Sequence, residues 1–390
     1  QERLIRLKAR SLEDTIGGYV MRLQAAGQIQ PSQEKQIQDI LKGIFDPTGL
    51  GSKTALFSAG IYIDTLNSPL QALTQLDEFA YSFYRSPTKA ISAAVTTIAR
   101  KSAITPKDIG ITSIGEEFQG PSMQRALSLL LKSTGFEEID RLNKENYINT
   151  VFRKYRSQAR RAKPDPVFTE RIERVFGKEK AAKVIETLKR GEIDEDVKYL
   201  LFNELLDIQP LAISEMPESY AKGGNWRLVY SLKSFYIRRL DFVRKEAFND
   251  MKSKETFARG FGRMVWLAYA FALFGAGSDF LKALIRGQDF DLKDSIVDGL
   301  LRMVFFSKYQ AWRTREKGFG TAVIEGWRPP TKAIDALSRD IINTATGKDR
   351  GFELWRSVPI VGEEYYWWFG EGERKLKGRG RRRSKRKIVR

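Results

Sequence analysis

Apolar side chains recur every three to four residues along most of this chain, a spacing that predicts helices nearly throughout. Leu4, Leu7 and Leu12 lead into Ile16, Tyr19, Val20 and Leu23, with Gly27 as a stop and Pro31 suited to the first turn of a second helix. Pro69 and Pro87 divide residues 53–104 into three helical segments. The middle segment carries Leu73, Leu76, Phe79, Tyr81, Phe83 and Tyr84, an aromatic-rich face expected in the core. Residues 105–121 are Gly-rich and lose the period, which predicts a long irregular connection. A helix over 121–135 with Leu127, Leu129, Leu130 and Leu131 follows, and another begins at Phe136. The latter ends in the basic run 153–163, with six Lys or Arg in eleven residues, suited to phosphate or lipid head groups or to a solvated helix face. Pro164 and Pro166 mark a boundary. Residues 166–208 then read as three short helices of alternating charge with stops at Gly177 and Gly191, and Glu186 and Lys189 form an i,i+3 pair. Residues 210–224 read as a loop.

The strongest pattern lies in residues 225–306. Leu228, Leu232, Phe235, Tyr236, Leu240, Val243 and Ala247 share one helical stripe, flanked by Arg238, Arg239, Arg244 and Lys245. Residues 264–278 then run for fifteen positions without a charge. As a helix they rise roughly 22 Å, short of a hydrocarbon core of about 30 Å. Extension in either direction admits Arg263, or Asp279 and Lys282. The expectation is therefore a buried helix, or an insertion-competent hairpin with the apolar segment 296–306, rather than a stand-alone span. Asp298 and Arg302, four apart, make that second arm amphipathic. Asp289, Asp291 and Asp294 between the arms lack a calcium-loop ligand series, and Asp291 or Asp294 is expected to cap a helix.

Composition adds boundaries to this all-α, multi-helix, elongated picture. All seven Trp residues lie between Trp226 and Trp368. The chain thus divides into an N-terminal helical region at 1–164, a small helical spacer at 165–224, a Trp-rich module at 225–372 and a polybasic, disordered-type tail at 373–390. The net charge is +19, but 11 of the 17 residues from Arg374 onward are basic; without them 56 basic residues face 48 acidic ones, or +8. Arg374, Lys375, Lys377, Arg379, Arg381, Arg382, Arg383, Lys385, Arg386, Lys387 and Arg390 suit nucleic acid or anionic lipid without sequence preference, or a solvated end. The aromatic run Tyr365-Tyr-Trp-Trp-Phe369 before the tail suits an interfacial anchor or a cap on the helical core.

Candidate chemistry changes little. With no Cys and no His, the chain lacks thiol and imidazole catalysis, disulfides and zinc sites built on those ligands. The stretch 46–54 resembles a phosphate-binding loop, but Pro47 and Ser52 stand where that motif needs Gly, so a turn is expected. Glu116 and Glu117 are adjacent and point in different directions on any regular element, which favours a surface role over an acid/base pair. No catalytic residue, metal or cofactor is expected. The start at Gln1 rather than Met predicts a part of a longer product, and residues 1–10 are charged, without the apolar centre of a secretion signal.

Two stretches carry a family resemblance. One is Leu228-x-Tyr230-x-Leu232-Lys-Ser-Phe235 with Leu240-Asp241, Arg244 and Glu246; the other is Arg356-Ser-Val-Pro-Ile-Val-Gly362 with Tyr365-Tyr-Trp-Trp-Phe-Gly370-x-Gly372. Over about residues 200–372 the chain resembles the C-terminal helical region of phage large polyvalent proteins and the internal virion (ejection) proteins of short-tailed bacteriophages. The resemblance implies a non-enzymatic virion protein, packaged near the portal and delivered into the host envelope to help form a genome conduit. It implies a homo-oligomer contacting portal or other ejection proteins, double-stranded DNA through phosphates, and the host inner membrane. Trp226, Phe235, Trp266, Tyr269, Phe271, Phe274, Trp312, Trp367 and Trp368 are the residues expected at a membrane or partner. A DNA-binding virion core or packaging protein, whose apolar segments are ordinary core, is the alternative. A lytic enzyme working through a carboxylate is a third.

Overall fold

The computed structural model describes residues 69–111, 131–209, 234–286 and 289–303, with positions 27, 129 and 346. The expected helices of 1–45, the loop-like 46–54, Glu116, Glu117, the 210–224 loop, the 365–369 aromatics and the basic tail lie outside these residues. The described chain is helical and contains no strand.

Proline opens helices here, since its fixed φ suits the first turn and its missing N–H needs no partner there. Pro69 opens α1 (Pro69–Ala72), which tightens into a 3-10 segment (Leu73–Glu78) and continues as α2 (Phe79–Arg85). Ser86 is extended, and Pro87 starts α3 (Pro87–Ile98). The connection expected from 105 begins with a further 3-10 turn (Pro106–Ile109). There the Asp108 carboxylate accepts from the Thr105 backbone N–H at 2.8 Å and its hydroxyl at 2.8 Å.

The longest helix of the first half, α4 (Phe136–Ala159), lies at the centre of the fold although its sequence is polar. Its asparagines explain how. Asn143 donates to the Gln75 carbonyl at 2.6 Å, Asn146 to the Ala90 carbonyl at 3.0 Å and Asn149 to the Ile104 carbonyl at 2.7 Å. Spaced three apart, the three amides lie along one side of the helix and satisfy backbone groups of three earlier segments. Tyr147, Ile148, Val151, Phe152 and Tyr155 supply apolar surface between them.

Three short helices follow: α5 (Pro166–Phe176), α6 (Lys178–Arg190) and α7 (Glu195–Leu206). Asp165 caps α5 by accepting from the Val167 N–H at 2.9 Å, and Asp194 caps α7 by accepting from Val197 at 2.8 Å. Gly191 ends α6 at φ 83°, a left-handed position that glycine adopts without a Cβ penalty.

The second half contains α8 (Ser234–Val243), a wide π turn (Arg244–Phe248), α9 (Asn249–Met251), α10 (Phe257–Arg286) and α11 (Leu292–Met303). Asp291 caps α11, accepting from the Asp294 N–H at 3.2 Å, as its sequence position predicts. One continuous core contains Tyr81 and Tyr84, Tyr147 and Val151, Leu188, Leu201 and Leu205, and Phe242, Leu267 and Phe271. Residues on both sides of the composition boundaries near 164 and 225 therefore share it.

Helices α10 and α11 form a hairpin that crosses at glycine. A Cβ on Gly275 would lie 3.0 Å from the Gly299 Cα, and one on Gly299 would lie 3.0 Å from both the Ala272 Cα and the Phe271 carbonyl oxygen. Gly299→Ala is expected to cost about 1–3 kcal/mol through overpacking. Gly277→Ala, a helical site with open space around it, should be neutral or stabilise by up to ~1 kcal/mol. Urea unfolding of the two variants tests this contrast. Equal stability would show that the crossing is not close-packed.

Candidate functional site

A buried ion cluster anchors the surface of interest. Arg85, at the end of α2, is 7% exposed and meets Glu204 of α7 at 3.2 Å and Glu246 of the π turn at 2.8 Å. Arg171 of α5 approaches the same carboxylates at 2.8 and 3.0 Å. The Tyr147 hydroxyl accepts from Arg85 Nε at 3.1 Å, and the Tyr155 hydroxyl donates to Glu204. Burial opposes ionisation of Glu246, but Arg85 and Arg171 outweigh it and hold that carboxyl well below the usual range. Burial, helped by repulsion from Arg85, pulls nearby Lys154 down to about 8.

A second polar group joins the 3-10 segment to α4 and α10. Gln209 donates to Glu78, and Lys144 pairs with Asp140 at 2.6 Å. Ser278 of α10 donates to Asp77 at 2.8 Å, and Arg239 lies 4.8 Å from the centre of the Phe271 ring. Burial, with the Asp140 charge second, raises the Glu78 carboxyl from an ordinary 4.5 to about 7.

These groups hold α10 along one side only. At its start, Gly260 passes so close to the π turn and α9 that a Cβ would lie 2.8 Å from the Ala247 carbonyl oxygen. Further along, the Trp266 indole N–H donates to the Tyr84 carbonyl at 3.2 Å, and its ring stacks on Phe83 at 5.6 Å. Phe274 packs against Phe79 and Phe83, and Phe271 is buried edge-on against Tyr81. The opposite side is uncovered: Val265, Tyr269, Leu273, Phe280 and Leu284 are exposed, Leu284 by 66%. At 100° per residue they fall within an arc of about 100° and extend roughly 28 Å along the axis. α11 adds exposed Leu292, Ile296, Val297 and Leu300.

The expected contact residues thus separate. Tyr269 is exposed on the apolar stripe, stacked on Trp266. Trp266 and Phe274 are half-buried and Phe271 lies in the core, so these three attach the hairpin to the body. Phe235 belongs to α8. Trp226, Trp312, Trp367, Trp368 and the tail residues from Arg374 onward lie outside the described residues. The uncharged run 264–278, by itself shorter than a hydrocarbon core, belongs to a longer helix paired with α11, the hairpin expected from the sequence. The helix has 30 residues, and its segment Phe257–Ile285 is long and apolar enough to cross a membrane by length and composition. Its charges lie toward the ends and are paired: Arg259 and Arg263 both reach Asp250, at 2.9 and 2.8 Å, and Lys282 approaches Asp279 at 4.0 Å. Val265 and Leu273 were not singled out in the sequence, because an uncharged run carries no phase to separate its two faces; Phe280 and Leu284 lie beyond that run, among Asp279 and Lys282.

Among the described residues no group of three or more His, Cys, Asp or Glu is placed to hold a metal ion. No protein-family model matches the chain, and no curated protein or solved structure matches it either.

Two outcomes follow for the buried charges. Arg85→Ala leaves Glu204 and Glu246 with less compensation and is expected to destabilise by about 3–5 kcal/mol in urea unfolding. A loss below ~1 kcal/mol would mean that Arg171 alone suffices. Glu78 holds its proton more tightly folded than unfolded, so its contribution is complete below pH 4.5 and is lost as pH rises through about 7. Glu246, depressed instead, contributes above the ordinary carboxylate range and loses that contribution as the pH falls. Glu78→Gln should therefore flatten the decline in stability between about pH 5 and pH 8. An unchanged profile would remove Glu78 as its source.

Proposed function

We propose that this chain is a structural, non-enzymatic helical protein of the bacteriophage internal virion or ejection type, which uses the α10–α11 hairpin to engage the host membrane during genome delivery. The observation that carries the reading is the stripe of Val265, Tyr269, Leu273, Phe280 and Leu284, uncovered on a helix whose other side is fastened to a charged body. A stripe of roughly 28 Å approaches the thickness of a hydrocarbon core, about 30 Å. Exposed apolar surface of this extent costs free energy in water, and a bilayer or a neighbouring subunit removes that cost. The glycine crossing supports the same reading: close backbone contact lets the arms remain paired where lipid, being as apolar as the side chains, gives no hydrophobic drive for helix association. The resemblance of residues 200–372 adds the virion context, with portal or other ejection proteins, further copies of the chain and double-stranded DNA as partners.

Leu273→Asp with Leu284→Asp tests the reading, since both side chains are exposed and their replacement should leave the fold intact. Flotation with vesicles of bacterial lipid composition should retain the native chain and lose the variant by about tenfold or more. At ~25 cal/mol per Å², two buried leucines contribute that much. Equal retention would overturn membrane engagement by this face. A variant that floats normally but no longer sediments as an oligomer would transfer the stripe to contacts between copies.

A further inference from the structure

The described surface also carries a cluster of cations that the hairpin reading does not use. The ends of α4 and α6 lie side by side: Arg160 Nε, just past α4, donates to the Lys189 carbonyl at 2.9 Å. The Arg156 guanidinium lies against Gly191, close enough that a Cβ there would be 2.5 Å from it. Arg161 and Lys163 continue from the end of α4, and the Lys189 side chain projects from the last turn of α6; all three are exposed.

Several cations of these helices are paired, although Arg153 on α4, which reaches only the Ser92 and Thr96 hydroxyls, and Lys178 and Lys183 on α6 are not. Arg141 and Lys144 on α4, Lys180 and Arg190 on α6, and Arg174 on α5 each have a carboxylate within ion-pair distance. Arg156, Arg160, Arg161, Lys163 and Lys189 have none among the described residues, so the Glu186–Lys189 pair expected from its i,i+3 spacing is not formed. Glu192, beside Gly191, is taken up by Arg190 at 3.1 Å, and the two helix C-termini add about half a negative unit each. Counted against those ends and the neighbouring Asp165 and Glu186, the five cations still leave a positive surplus of about +2.

We propose that the adjoining ends of α4 and α6 form a binding surface for the phosphate backbone of double-stranded nucleic acid. Composition favours this partner over lipid head groups. The aromatics nearest the cluster, Tyr155 and Phe168, are buried. Among the described residues no aromatic platform therefore accompanies the charges to stack unpaired bases or to anchor in a lipid interface. Cations without stacking partners suit the outside of a duplex, read through its phosphates and without base specificity.

The test uses the full chain with a 30-bp DNA duplex, measuring anisotropy across a salt series. Arg161→Gln, Lys163→Gln and Lys189→Gln together should lower the magnitude of the log–log salt slope by about 2–3, at ~0.9 for each phosphate no longer neutralised. Acylation of Lys163 and Lys189 in the native chain should slow when duplex is added, a readout independent of any variant. The comparison is Lys101→Gln, Lys132→Gln and Lys178→Gln, which removes the same charge at exposed positions elsewhere. A slope unchanged in the first variant overturns the proposal. So does an equal fall in the comparison, which would reduce the effect to net charge. A loss of binding confined to anionic vesicles, with the duplex unaffected, assigns the cluster to lipid instead. Retention of vesicle binding by the first variant keeps this result separate from that of the hairpin.

Discussion

Once Arg85 is removed from water, its charge must be met from within the protein, and the groups that meet it come from distant parts of the sequence. Glu204 is 119 positions away and Glu246 is 161. Their carboxylates fix α7 and the π turn around the end of α2, and Arg171 brings α5 to the same place. The attraction has to offset a desolvation cost of several kcal/mol for each ion, so small displacements of any of these segments are expensive. Hydrophobic contact by itself tolerates sliding; a shared buried charge does not. The cluster thus supplies the rigid side against which α10 is fastened.

Much of the local structure was legible. Pro69 and Pro87 begin helices, Gly177 and Gly191 punctuate α5 to α7, Asp291 caps α11, and the Tyr81 and Tyr84 side of the aromatic segment is core. Each of these depends on a few neighbouring residues. The central position of α4 was not legible, because burial by asparagine has no hydrophobic signature. Its trace in the sequence is Asn143, Asn146 and Asn149 at a spacing of three, in a residue type that is a poor helix former and so needs another reason to be there. The extent of α10 was hidden for a related reason. Arg259 and Arg263 look like flanking charges until both are seen to pair with Asp250.

The candidate surface was legible only in outline. An uncharged stretch between 264 and 278 announces a helix that avoids water, but both of its sides are apolar. The body it docks against decides which side is used. Trp266, Phe271 and Phe274 turn inward to the aromatic face of α2, leaving Val265, Tyr269 and Leu273 outward. Aromatic content directed attention to the attachment side, whereas aliphatic residues make up most of the free one.

The π turn at 244–248 has a consequence for how the end of its own helix is phased. A π turn accommodates one residue more than an α-helical turn, so α9, which continues directly from it, is rotated by about 100° relative to an uninterrupted helix. Glu246 reaches the buried arginines from within this wide turn, and Gly260 nestles against its Ala247 carbonyl. The turn acts as a phase shifter between two faces that must both be satisfied. Residues before it follow the core around Tyr81, and those after it follow the groove that receives α10. Changes of chain length are consequently much less forgiving at this point than substitutions, because a single residue added or deleted would leave one of the two faces out of step.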